Sequence, residues 1–91
     1  MQFEWDEAKR RANIYRHGFD FEDGQEVFAG ETVTNLDDRF NYGECRFLTL
    51  GLLKGRVVAI AYTQVEDVVR LISFRKASKN EQKIYWQEIR D

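Results

Sequence analysis

The sequence predicts an α+β domain in which helices pack on an antiparallel sheet, and three observations carry that prediction. Two strongly apolar runs, CRFLTLGLL and RVVAIAYTQ, are separated by Lys54-Gly55, and a third follows Glu66-Asp67. Connections this short favour an antiparallel meander, because a parallel crossover needs a dozen or more residues. Asp6 and Gly18 bracket a helical segment at the front of the chain. Ser78-Lys79-Asn80-Glu81 matches a capping box that starts another helix at the end.

Taken in order, residues 2–5 (QFEW) form a short alternating segment, read as a strand. Asp6 is an N-cap and Gly18 a C′ residue, so a helix is expected over 7–17. Its Ala8, Ala12 and Tyr15 follow the helical repeat and are expected to face the core. Lys9, Asn13 and His17 form a second, polar stripe. Asp20 caps a shorter helix that runs to about Ala29, with Phe21, Val27 and Phe28 as its buried side, and Gly30 ends it. ETVTNL is a strand and DDRFNYGE a polar loop. The three strands of the meander come next, and the last helix presents Ile84, Tyr85 and Ile89 on one side. The expected order is β-α-α-β-β-β-β-α, one domain over residues 1–91, with the helices covering one face of a twisted sheet.

Composition removes several classes of function. The chain has one His and one Cys, too few for a zinc cluster, and Cys45 has no partner for an internal disulfide. No HExxH, P-loop, GxGxxG or GxSxG pattern occurs, so no metal or cofactor is expected. No apolar run approaches a membrane span and no signal-type N-terminus is present, which with the lone cysteine points to the cytoplasm. The formal net charge is −2, so binding to nucleic acid has to rest on a local basic patch. The carboxylate pairs Glu22-Asp23, Asp37-Asp38 and Glu66-Asp67 fall at helix starts and turns, where solvated cap and turn residues belong.

The basic groups on or beside the meander are Arg46, Arg56, Arg70, Arg75 and Lys76. Strand alternation puts Arg70, Ile72, Phe74 and Lys76 on one face and Leu71, Ser73 and Arg75 on the other. Arg70 and Arg75 therefore share a face only if a bulge or twist intervenes. Arg75 and Lys76 arrive together beside the N-terminus of the last helix, a corner suited to phosphate. His17 is the acid or base candidate, since its ordinary pKa lies near neutrality; equally, it reads as a cation favoured by a helix C-terminus. Trp5 and Tyr85 read as core, with base stacking as their alternative.

The opening FEWDEAKRRANIYRHGFDFEDG resembles the FEWDxxKxxxNxxKHGVSFEEA signature of the BrnT family of type II toxins. The likeness continues through AGETV and GECRFLTLGLLKGRVVAIAYTQ into VRLISFRKASKNEQKIY, similar to the family's RIISARKAxxxE…Y ending. It implies a RelE-like fold, ribonuclease activity in bacteria, and neutralisation by a BrnA-type ribbon-helix-helix antitoxin. DNA would be reached only through that antitoxin, in a toxin–antitoxin hetero-oligomer. The matching positions are Trp5, Lys9, Asn13, His17, Glu44, Arg46, Arg70, Ser73, Arg75, Lys76, Glu81 and Tyr85. Two positions depart from the pattern: Val65 stands where the YTxR motif has arginine, and Phe74 replaces a small residue.

A metal-free ribonuclease needs a group to activate the ribose 2′-OH, cations for the pentavalent phosphate, and a proton for the leaving oxygen. On this reading His17 is the acid or base, and Arg70, Arg75 and Lys76 stabilise charge. Lys9, Glu44, Arg46 and Tyr85 are assigned to substrate. The competing class is a partner-binding module without turnover that acts with an antitoxin in transcriptional autoregulation, and the missing arginine at Val65 favours it.

Overall fold

A computed structural model of the chain describes residues 1–37 and 43–90. Its elements are β1 (Gln2–Glu4), α1 (Glu7–His17), a 3-10 turn (Phe21–Asp23), α2 (Gly24–Ala29), β2 (Val33–Leu36), β3 (Phe47–Leu53), β4 (Arg56–Val65), β5 (Val68–Lys76) and α3 (Lys79–Arg90). The strands form one sheet in the order β1-β5-β4-β3-β2. The element order is the expected one, and β2 to β5 are antiparallel throughout. Most of the expected loop DDRFNYGE, Asp38 included, lies outside the described residues.

Two expectations about the sheet are corrected. It is mixed rather than antiparallel, because β1 pairs parallel to β5, Gln2 opposite Val68 and Glu4 opposite Arg70. A strand of three residues carries no periodicity from which its direction follows. The helices also cover both faces, not one. Val58, Ile60 and Tyr62 of β4 join Phe19, Phe21, Val27, Val69, Leu71 and Phe74 in the core under α1 and α2. Val57 and Ala59 join Leu50, Ala77 and Tyr85 in a second core under α3. A strand buried on both sides reads as a continuous apolar run, which is what VVAIAY is.

Local chemistry fixes the boundaries. Asp6 accepts a hydrogen bond from the Lys9 N–H at 3.1 Å, and Gly18 ends α1 in the left-handed region, φ 77°. The Lys54-Gly55 turn has φ of 51° and 81°, the two positive values a tight hairpin of this hand requires. Gly51 is needed for space: a Cβ there would stand 2.6 Å from Val27 Cγ1 of α2. Arg10 fastens α1 to the next segment, its Nε and Nη2 donating to both Asp20 oxygens at 2.8 and 2.9 Å. That pairing holds the Asp20 carboxyl below its ordinary range.

The face that α1 turns inward is also corrected. Ala8 and Ala12 are exposed and Tyr15 is 95 % exposed, whereas Asn13 is buried. The cause lies on β5. Beyond Arg70 the outer edge of β5 has lost its β1 partner, and the main-chain groups of Phe74 face α1. Asn13 Oδ1 accepts from the Phe74 N–H at 3.1 Å, and its Nδ2 donates to the carbonyls of Phe74 at 2.8 Å and Phe19 at 3.0 Å. One side-chain amide thus replaces a strand.

On the far helix Ile84, expected inside, is 36 % exposed, while Tyr85 and Ile89 do pack on the sheet.

Replacing Asn13 with Ala should cost about 2–4 kcal/mol in chemical denaturation, since buried main-chain groups lose their partners. Asn13→Asp should cost nearly as much, because a carboxylate can accept from Phe74 N–H but has no proton for the two carbonyls. Tyr15→Ala should stay within about 0.5 kcal/mol of the parent. An Asp variant as stable as the parent would show that the donor half of the amide is dispensable.

Candidate functional site

The alternation problem on β5 is resolved by a bulge. Ala61 pairs with Ser73 and Tyr62 with Leu71, so Ile72 is the extra residue. Leu71 and Phe74 are therefore both directed into the α1-side core. Arg70, Ser73 and Arg75, opposite Thr63, Ala61 and Ala59, share the other face. Lys76, opposite Val58, is on the α1 side and exposed.

Sharing a face does not bring the two arginines together. Arg70 is at the β1 end of β5, where its Nη1 donates to Glu4 Oε2 at 2.7 Å, both side chains half exposed. Arg75 is at the other end and makes a two-pronged contact with Glu81, at 2.8 and 3.0 Å. Glu81 is also the acidic half of the capping box: its Oε1 accepts from Ser78 N–H at 2.8 Å, and Ser78 Oγ accepts from Glu81 N–H at 3.1 Å. The Arg75 hydrogen bonds, ahead of those from Ser78, hold the Glu81 carboxyl below its ordinary value. The corner expected to take phosphate is thus filled by an internal carboxylate. Phe74 does not add bulk beside Arg75; it is turned away, stacked on Phe19 with centroids 5.0 Å apart.

What the fold does assemble is a cleft of about 230 Å³ between α1 and the bulged edge of β5. It is lined by Lys9, Ala12, Asn13, Arg16, His17, Ile72 and Ser73. The polar stripe Lys9-Asn13-His17 borders β5 here, with Asn13 buried against it. Arg16 is the cleft residue that sequence reasoning passed over. Its position seven after Lys9 and three after Asn13, on the same helical stripe, was the available signal. His17 is titrated below its ordinary pKa, first by burial, then by Arg16 and Arg75. The imidazole is therefore neutral at neutral pH, with cations around it.

The remaining candidates lie elsewhere. Glu44 and Arg46 stand before β3 and pair with each other at 3.4 Å. Tyr85 is 1 % exposed, and its hydroxyl donates to the Glu31 carbonyl at 3.0 Å, so it is not presented to a ligand on the surface. Burial, more than the neighbouring Glu31, pushes its pKa up. Trp5 is half-buried, edge-on to Phe21 at 6.2 Å, the packing role expected of it. Val65 is 73 % exposed at the end of β4. Cys45 is free and exposed. Among the described residues no group of three or more His, Cys, Asp or Glu side chains is arranged to hold a metal ion, and no helix is long and apolar enough to cross a membrane.

Fold and site together define a small α+β protein with one histidine in a cationic cleft at a sheet edge, a setting suited to an anionic ligand. Residues 5–81 match the family described as "Ribonuclease toxin, BrnT, of type II toxin-antitoxin system". The match covers most of the chain, which belongs to that family. Its members are thus toxins that act on RNA and are paired with an antitoxin. No curated protein matches the chain.

Glu81→Gln should cost about 1–3 kcal/mol at neutral pH, by removing a charged partner from Arg75. Because the folded-state pKa of Glu81 is depressed, its contribution is complete above the ordinary carboxylate value of 4.5 and is lost as pH falls through the lower folded value. Stability curves of parent and variant should therefore converge in acid. Parallel curves down to pH 2 would mean that the Arg75–Glu81 pair is not what the substitution removes.

Proposed function

We propose that the chain cleaves RNA in the cleft between α1 and β5, without a resident metal ion, by attack of a ribose 2′-oxygen on the adjacent phosphodiester. One observation carries this reading. The single histidine is held neutral among cations, and neutral imidazole is the form a general base needs.

His17 takes the 2′-OH proton as the oxygen bonds to phosphorus. The P–O5′ bond breaks, leaving a 2′,3′-cyclic phosphate, and the 5′-oxygen takes a proton from water in the open cleft. Lys9 and Arg16 hold the phosphate oxygens, and Arg75 adds its field from across the edge while tied to Glu81. Arg70, Arg46 and Glu44, in their own ion pairs, are left to flanking contacts. A RelE-like fold, a cytoplasmic setting and a BrnA-type antitoxin that covers the cleft complete the proposal.

A binding module without turnover is favoured by one observation, the internal pairing of Arg70 and Arg75 with Glu4 and Glu81. It predicts antitoxin binding and no cleavage.

Purified protein should cleave RNA in EDTA, and loss of cleavage restored by magnesium would remove the metal-free scheme. His17→Ala should lower kcat roughly 10²–10⁴-fold with little change in RNA affinity. The acid limb of kcat/KM should fall below the ordinary histidine value of 6.5, since the folded pKa is lowered. Arg16→Ala should move that limb upward, because it removes a nearby positive charge. An unshifted limb in that variant, or full activity in His17→Ala, would return His17 to a helix-end role.

A further inference from the structure

Among the described residues Arg10, Arg46, Arg70 and Arg75 pair with carboxylates. Other cations make no ion pair there, and of these Arg56, Lys76, Lys79, Lys83 and Arg90 line two adjoining grooves. Lys79, Lys83, Trp86 and Arg90 line an open groove along the outer face of α3. Glu81 and Glu88 fall on the opposite face of that helix, by its 3.6-residue period. Trp86 and Gln82 also line a second groove with Arg56, Val57 and Lys76, so the two grooves meet at the indole. Arg56 reaches on to the Phe19 ring, 5.2 Å from its centroid, two residues from His17. Arg56 thus ties the second groove to the segment that follows α1.

At its centre Trp86 is 39 % exposed, and Tyr85 holds the ring edge-on, with centroids 5.1 Å apart. A supported indole face among unpaired lysines suits a strand with a planar base beside every negative charge. An acidic protein segment would use the charges and leave the indole face without a matching plane.

We propose that Trp86 is the stacking platform of a single-stranded RNA subsite, with Arg56, Lys76, Lys79, Lys83 and Arg90 along its phosphates. It would hold nucleotides flanking the bond cleaved at His17. Only this last placement rests on the ribonuclease reading. The 5–81 family match stops short of Lys83, Trp86 and Arg90, so the subsite adds to what membership brings.

Trp5→Phe leaves Trp86 as the only tryptophan, and its fluorescence then reports the subsite directly. Titration with a 2′-O-methyl oligoribonucleotide of roughly ten residues, which cannot be cleaved, should quench that emission. In the otherwise unaltered chain Trp86→Ala should weaken binding about tenfold, measured by anisotropy of the labelled strand, and Trp86→Phe should recover most of the loss. Lys79→Gln with Lys83→Gln should reduce the salt slope by about 1.4, roughly 0.7 for each phosphate contact. His17→Ala should bind as the parent does. Absence of quenching, or equal affinity in Trp86→Ala, would overturn the proposal. Equal quenching by poly-glutamate would overturn it in favour of an acidic protein partner. Quenching by the oligonucleotide in a protein that cleaves no RNA would leave the subsite standing and remove the catalytic reading instead.

Discussion

The fold turns on the three hydrogen bonds of Asn13. β1 covers β5 only as far as Arg70, which leaves a sheet edge in mid-molecule with its main-chain groups open. An unfilled edge would be an invitation to another strand. Filling it with a side-chain amide from α1 joins residues 61 apart in sequence and sets the helix's rotation about its own axis. That rotation determines everything α1 presents. With Asn13 inward, Lys9 and Arg16 border the sheet edge, and Tyr15 is driven into solvent. The cleft is the space left beside an amide that has taken the place of a strand.

The legible parts of the molecule are those decided within a few residues. Asp6, Gly18 and the Ser78–Glu81 box were read correctly because a cap is a contact between near neighbours; Asp20 is a cap too, but what it starts is the 3-10 turn ahead of α2. The hairpins were read because their turns are two residues long. The facing of α1 was misread, since apolar spacing favoured Ala8, Ala12 and Tyr15 and no local rule ranks a polar amide above them. Its reason lies on β5. The parallel pairing of β1 was hidden for the same reason. Burial of β4 on both faces was available in the unbroken run VVAIAY, where one covered face would have alternated.

Of the residues named from the sequence, Lys9, Asn13, His17 and Ser73 line the cleft, while Arg16 was passed over and Arg70, Glu44, Arg46 and Tyr85 lie elsewhere. Arg75 was expected to be open to phosphate, yet Glu81, spent in the sequence reading on a helix cap, serves both purposes. One carboxylate that closes a helix start and holds an arginine makes the cap and the charge pattern inseparable.

The bulge at Ile72 has a consequence for how this chain tolerates changes of length. Side chains on a strand alternate with a period of two, so one supernumerary residue reverses the parity of all that follow it. That reversal is counted along β5, not against its partner: Leu71 and Ser73 stand opposite Tyr62 and Ala61, which are neighbours on β4. Excising Ile72 would therefore leave an unbroken ladder with Ser73 to Lys76 on the faces they now hold. The ring stacked on Phe19 and the guanidinium held by Glu81 would keep their places. The shortened strand would lose only the apolar residue that lines the β5 side of the cleft.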